Sequence, residues 1–221
     1  MRTRIKFCGL VRPVDLDTSV ALGVDAVGFV FYRNSPRALS VQEAAALRRR
    51  LPSYVAAVGL FVNAPAEQVL STVSHVGLDV VQFHGDETAQ QCEQSTPQGL
   101  GYWRAVRMSG PGDLLESLAS HKQAEALLLD SFSDGFGGSG KGFDWGWIPE
   151  NRAKPLVLSG GLDADSVGAA IAAARPMAVD VSSGIQGHDA REKDPARMER
   201  FVAAVIQADA RAKARGAAPE P

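Results

Sequence analysis

The sequence predicts a single-domain α/β fold, a (β/α)8 TIM barrel, from three observations. Strand-sized apolar runs alternate with helix-periodic segments along the chain, the pattern of βαβ units around a parallel sheet. Eight such runs recur at intervals of roughly 22–30 residues, as a closed eight-stranded barrel requires. Many of them stop at residues that can do chemistry. Ile5-Lys6-Phe7 stops at Cys8-Gly9, Val80-Val81-Gln82-Phe83 at His84-Gly85, and Leu127-Leu128-Leu129 at Asp130. Leu156-Val157-Leu158 stops at Ser159-Gly160-Gly161, and Val179-Asp180-Val181 at Ser182-Ser183-Gly184. Buried parallel strands read as near-continuous apolar runs, and barrel enzymes build their sites at C-terminal strand ends. One shared site drawn from distant segments is the expectation.

Taken in order, strands are expected near residues 4–8, 26–31, 55–62 and 79–83, then 102–107, 126–130, 156–159 and 178–182. Ala66-Val69-Leu70-Val73 and Leu114-Leu115-Leu118 carry helical spacing. The Ala-rich segment 163–174 reads as a helix with Asp163 as its N-cap. The last helix starts near Asp194-Pro195, with proline in the first turn. The barrel domain is expected over residues 1–211, and residues 212–221 as a disordered tail. The loop from Ser131 to Gly142 stands out for its length and its five glycines, so it is expected to act as a lid or a backbone cradle over a ligand.

The 221 residues are 45% hydrophobic and 22% charged, enough for one well-buried domain. A net charge of −2 gives no electrostatic reason to expect nucleic acid or an anionic membrane surface. No apolar stretch is long enough to span a bilayer, and the N-terminus lacks the apolar core of a signal peptide. Cys8 and Cys92 cannot make a disulfide framework, which suits a reducing cytoplasm. The four histidines show no metal-ligand spacing, so no metal site is expected. A monomer or homodimer is expected.

Several residues are candidates for chemistry. Cys8 closes the first strand, where a modestly perturbed thiol can accept a proton near neutral pH; the plainer reading is an inert small hydrophobe. Asp130 follows four apolar residues, a costly place for a carboxylate unless it is paired or neutral. It suits a general acid, or else an N-cap or a loop ion pair. Gly160-Gly161 and Ser182-Ser183-Gly184 follow the seventh and eighth strands, the usual phosphate-binding place in this fold. Arg37, after the second strand, can grip a carboxylate with its planar fork. His84 joins the substrate-binding candidates by position alone. Asp180 faces opposite to Val179 and Val181, either into the barrel or toward a loop amide. Gly135 to Lys141 fits G-x-x-x-x-G-K, but Gly142 stands where Ser or Thr would hold Mg²⁺ and no helix follows, so a nucleotide-binding loop is rejected. The Gly-rich dinucleotide fingerprint of an open doubly wound sheet is missing after the first strand.

Together these segments resemble the phosphoribosylanthranilate isomerase family of tryptophan biosynthesis. The resemblance is carried by Lys6-Phe7-Cys8-Gly9, Gly28-Phe29-Val30-Phe31-Tyr32 with Ser35-Pro36-Arg37, Val58-Gly59-Leu60-Phe61-Val62-Asn63 and Val81-Gln82-Phe83-His84-Gly85-Asp86-Glu87. It continues in Leu128-Leu129-Asp130, Gly137-Gly138-Ser139-Gly140-Lys141, Phe143-Asp144-Trp145, Leu158-Ser159-Gly160-Gly161-Leu162 and Val179-Asp180-Val181-Ser182-Ser183-Gly184. It implies a cofactor-free Amadori rearrangement of N-(5-phosphoribosyl)anthranilate to 1-(2-carboxyphenylamino)-1-deoxyribulose 5-phosphate. It implies Cys8 as general base, Asp130 as general acid and Arg37 on the anthranilate carboxylate, with Gly160, Gly161, Ser182 and Ser183 on the phosphate. Phe7, Phe83, Ser139 and Gln186 depart from the family's usual residues. Rival readings are an indole-glycerol-phosphate synthase, a ribulose-phosphate epimerase or a phosphate-binding module without turnover. A synthase would want a second lysine at a later strand end, an epimerase more metal-binding histidines, and a binding module neither Cys8 nor Asp130.

Overall fold

The computed structural model describes residues 2–131 and 142–216. Eight parallel strands close on themselves in sequence order. They are β1 (Arg4–Cys8), β2 (Ala26–Val30), β3 (Ala56–Phe61), β4 (Val80–Phe83), β5 (Gly101–Met108), β6 (Ala126–Ser131), β7 (Leu156–Leu158) and β8 (Ala178–Val181). The seam pairs β1 with β8, with Lys6 opposite Asp180. All eight expected strands are present.

Strand side chains alternate between two environments, as a period of two requires. Ala26, Val58, Trp103, Ala105, Ala126, Leu128, Val157 and Ala178 form a cluster of small and branched side chains, one parity of the strands. The other parity, including Phe7, Phe29, Phe61, Phe83, Leu127, Leu129, Leu158 and Val179, packs with the helices in a second and larger core. Lys6, Cys8, Gln82, Asp130 and Asp180 share the parity of the first cluster. That places their side chains inside the barrel.

Among the described residues, seven helices surround the sheet: α1 (Pro13–Ala21), α2 (Val41–Arg48), α3 (Ala66–Val76), α4 (Ala89–Gln94), α5 (Pro111–Ser120), α6 (Val167–Ala174) and α7 (Pro195–Gly216). Proline starts α1 and α5, and capping boxes Ser40/Glu43 and Thr88/Gln91 start α2 and α4. Between β6 and β7 the described residues hold only a 3₁₀ turn, Trp145–Trp147. Most of the Gly-rich loop, residues 132–141, lies outside the described residues.

Two expectations are corrected. The helix expected from residue 163 begins at Val167. Asp163 instead caps the turn before it, accepting from the Asp165 and Ser166 N–H groups at 3.0 and 2.8 Å. The tail expected from residue 212 is helical as far as Gly216. Ala212, Lys213, Ala214 and Arg215 are good helix formers, and they extend α7 to the last described residue.

Candidate active site

The C-terminal ends of the strands surround a cavity of about 830 Å³, its open mouth included. Cys8, Arg37, His84, Asp130, Gly160, Gly161, Asp180, Ser182 and Ser183 all line it. Of the predicted site residues only Gly184 lies apart, in an adjoining recess that it shares with Gly161 and Ser183.

On the β1–β8 side, Lys6 Nζ donates to Asp180 Oδ1 at 2.9 Å, with both side chains almost fully buried. Asp180 therefore faces the interior rather than a loop amide. Burial pulls the Lys6 ammonium down, but Asp180 and then Cys8 outweigh it and leave Lys6 raised. For Cys8, burial pushes the thiol up, the Lys6 ammonium pulls it down, Asp180 pushes up again, and the net shift is upward. Cys8 thus sits as a thiol whose ionisation depends on the ammonium beside it.

Gly9 lets Arg37 reach the cavity. It adopts φ +71°, and a Cβ there would lie 2.4 Å from Arg37 Cδ. Arg37 donates to Gln186 Oε1. Its Nε is buried with no hydrogen-bond partner, and burial lowers the guanidinium's pKa. That leaves donor capacity free for an anion.

On the other wall, Asp130 is the penultimate residue of β6. Its Oδ1 accepts from the Ser131 N–H at 2.9 Å, and its Oδ2 lies 3.1 Å from His84 Nε2. The turn that carries His84 is braced from outside. Glu87 accepts from the Asn63 and Gly85 N–H groups and from Arg104, at 2.6, 2.9 and 2.9 Å.

The loops after β7 and β8 form the third wall. Gly160 and Gly161 adopt φ +81° and +68°, conformations that side chains disfavour. Ser182 Oγ donates to the Cys8 carbonyl at 3.0 Å, tying this loop to β1. Lys193, buried behind it, donates to the Ser182 carbonyl at 2.9 Å. Burial, with Arg37 nearby, lowers its pKa to about 8. Glycine N–H groups and serine hydroxyls, with the Lys193 ammonium behind them, suit this end of the cavity to an anion.

Sequence reasoning missed Gln82, Lys193 and the Lys6–Asp180 pairing. Gln82 and Lys6 had a signal, since each is a polar residue of inward parity inside an apolar run. Lys193 had none, because a later segment folds back to deliver it.

A closed barrel with a thiol, a carboxyl and an anion-binding wall around one cavity defines a (β/α)8 enzyme acting on a small anionic substrate. A family profile described as N-(5'-phosphoribosyl)anthranilate (PRA) isomerase matches residues 5–204. The chain belongs to that isomerase family. Relatives of that name from Methylibium petroleiphilum and Leptothrix cholodnii are each 50% identical, over 97% and 95% of this chain and 99% and 94% of their own length. The crystal structure of phosphoribosyl anthranilate isomerase from Thermotoga maritima superposes with a TM-score of 0.86 at 38% identity, covering 93% of this chain and 99% of that one. Another such isomerase, in complex with reduced 1-(o-carboxyphenylamino)-1-deoxyribulose 5-phosphate, has a TM-score of 0.83 at 36% identity, with the same coverage.

Proposed function

We propose that the chain isomerises N-(5-phosphoribosyl)anthranilate to 1-(2-carboxyphenylamino)-1-deoxyribulose 5-phosphate, in the cytoplasm and as a step of tryptophan biosynthesis. The observation that carries this reading is that Cys8 and Asp130, from β1 and β6, line one cavity. Asp130, protonated, donates to the ring oxygen of the ribosyl group. The anilino nitrogen supplies electrons, the C1–O bond breaks, and an iminium forms. Cys8, as thiolate, removes the proton from C2. The electron pair moves into the C1–C2 bond and neutralises the iminium, giving an enolamine. Protonation at C1 and loss of the hydroxyl proton yield the ketone. The iminium is the electron sink, so the chemistry asks for no cofactor.

Gly160, Gly161, Ser182, Ser183 and Gly184 hold the phosphate in this reading, and Arg37 holds the anthranilate carboxylate. Gripping both ends fixes the reacting carbons between acid and base, and such positioning lowers a barrier by several kcal/mol.

Decay of phosphoribosylanthranilate fluorescence on adding protein tests the activity. Cys8→Ser and Asp130→Asn should each lower kcat by roughly 100-fold or more, with KM near its original value. Near-full activity in either variant removes that residue from the mechanism. Arg37→Ala should mainly raise KM, by about 10–100-fold, the worth of a charged hydrogen bond. An unchanged KM would place the carboxylate elsewhere.

A further inference from the structure

Gln82 is fully buried in β4 and lines the cavity, though the mechanism above gives it no role. Its amide nitrogen lies 2.9 Å from His84 Nδ1. The other ring nitrogen, Nε2, lies 3.1 Å from Asp130 Oδ2. Gln82, His84 and Asp130 therefore form one chain of contacts ending at the carboxyl. An amide nitrogen donates and cannot accept. A neutral imidazole carries a single N–H. With the amide nitrogen toward it, Nδ1 is the acceptor of that contact, an arrangement that a neutral ring meets by carrying its proton on Nε2.

We propose that Gln82 is a positioning residue for the acid: by fixing the ring proton of His84 on Nε2, it makes His84 a donor to Asp130 and bars it from taking the acid's proton. The inference rests on the reading of Asp130 as the general acid. As Asp130 releases its proton, negative charge develops on the carboxyl. The Ser131 N–H already points at Oδ1 and, with this tautomer, the His84 N–H points at Oδ2. Donors set in place where charge develops strengthen during the step at no reorganisation cost. With the ring proton on Nδ1, a bare Nε2 would face Oδ2 and compete for the proton that the sugar must receive.

Gln82 Oε1 is buried with no hydrogen-bond partner. An idle buried carbonyl is a cost, and the in-register neighbours of Gln82 are the apolar Leu60 and Trp103. Packing alone gives no reason for glutamine here. The amide edge facing His84 is the part in use.

The direct test is ¹⁵N NMR of the histidine rings in the intact protein at neutral pH. His84 is expected to carry its proton on Nε2. A proton on Nδ1 overturns the proposal, whatever any variant does. Gln82→Met keeps the length and lets the ring sample both tautomers. Its kcat should fall about tenfold, a fraction of what general acid catalysis supplies, with KM unchanged and Nδ1–H now visible. His84→Gln places a non-titrating N–H donor toward Asp130 and should retain far more activity than His84→Leu. Equal activity in those two variants, or a wild-type kcat in Gln82→Met, overturns the proposal. If Asp130→Asn is inactive at the same time, the acid assignment survives and only this inference falls. An active Asp130→Asn sinks the assignment itself.

Discussion

Burial alone would make Cys8 a poor base for the proposed reaction, and the residue beside it offsets that burial. Its thiol is raised by burial and drawn back down by the Lys6 ammonium. Only the thiolate can take a proton from carbon, so kcat/KM should rise with pH as Cys8 of the free enzyme ionises. Lys6→Met removes the nearby cation and leaves Asp180 pushing the same way as burial. The acid limb of the profile should then move to higher pH, and an unmoved limb would show that Lys6 does not support the thiolate. This dependence was only half legible in the sequence. Cys8, Asp130 and the two glycine–serine loops announce themselves because each follows an apolar run at a strand end, whereas Arg37 sits further on, in the loop after β2. The groups that tune them do not. Lys6 reads as a strand lysine, and its meeting with Asp180 comes only from closing β1 onto β8. Lys193 reaches Ser182 because the segment after β8 folds back, bridging Gln186 to Lys193.

Elements were more legible than their boundaries. Apolar runs show where the strands are, because burial on both faces leaves few polar positions. The end of a helix depends on weaker local preferences. Asp163 is a sound capping residue, yet its side chain satisfies a turn and the helix waits until Val167. Helix propensity alone carries α7 past residue 212, where nothing in the apolar pattern asked for it. One inter-element contact is tight enough to test. Gly160, after β7, adopts φ +81°, and a Cβ there would lie 2.4 Å from the Ser131 backbone nitrogen and 3.0 Å from Asp130 Oδ1. Gly160→Ala must therefore strain its own backbone or displace the end of β6. Strain at such a position costs roughly 1–3 kcal/mol. The expected outcome is a lower melting temperature together with a drop in kcat, since the displaced segment carries the proposed acid, Asp130. A variant that melts and turns over like the parent would mean that the β6 and β7 ends do not constrain each other.

Stability of the whole barrel depends on buried titratable groups, and it changes with pH through them. His121 caps the C-terminus of α5, is 6% exposed, and its Nδ1 has no hydrogen-bond partner. Burial, helped by Arg104, lowers its pKa from 6.5 to about 4. Between those values the unfolded chain binds a proton at this residue and the folded chain does not. Unfolding free energy must then fall as pH drops from 6.5 to about 4, by on the order of 2–3 kcal/mol for this group. Above pH 6.5 both states are neutral, so the contribution is fully present there. Lys193 adds a second slope at the other end. Its pKa falls from 10.5 to about 8 on folding, so the unfolded chain binds more protons between those values. Stability from this residue rises across that window as pH increases. Urea unfolding of the parent, His121→Leu and Lys193→Met across both ranges separates the two. His121→Leu should flatten the slope below pH 6.5 and leave the alkaline one, and Lys193→Met the reverse. Slopes unchanged by either substitution would mean that neither group is held in the protonation state its burial demands.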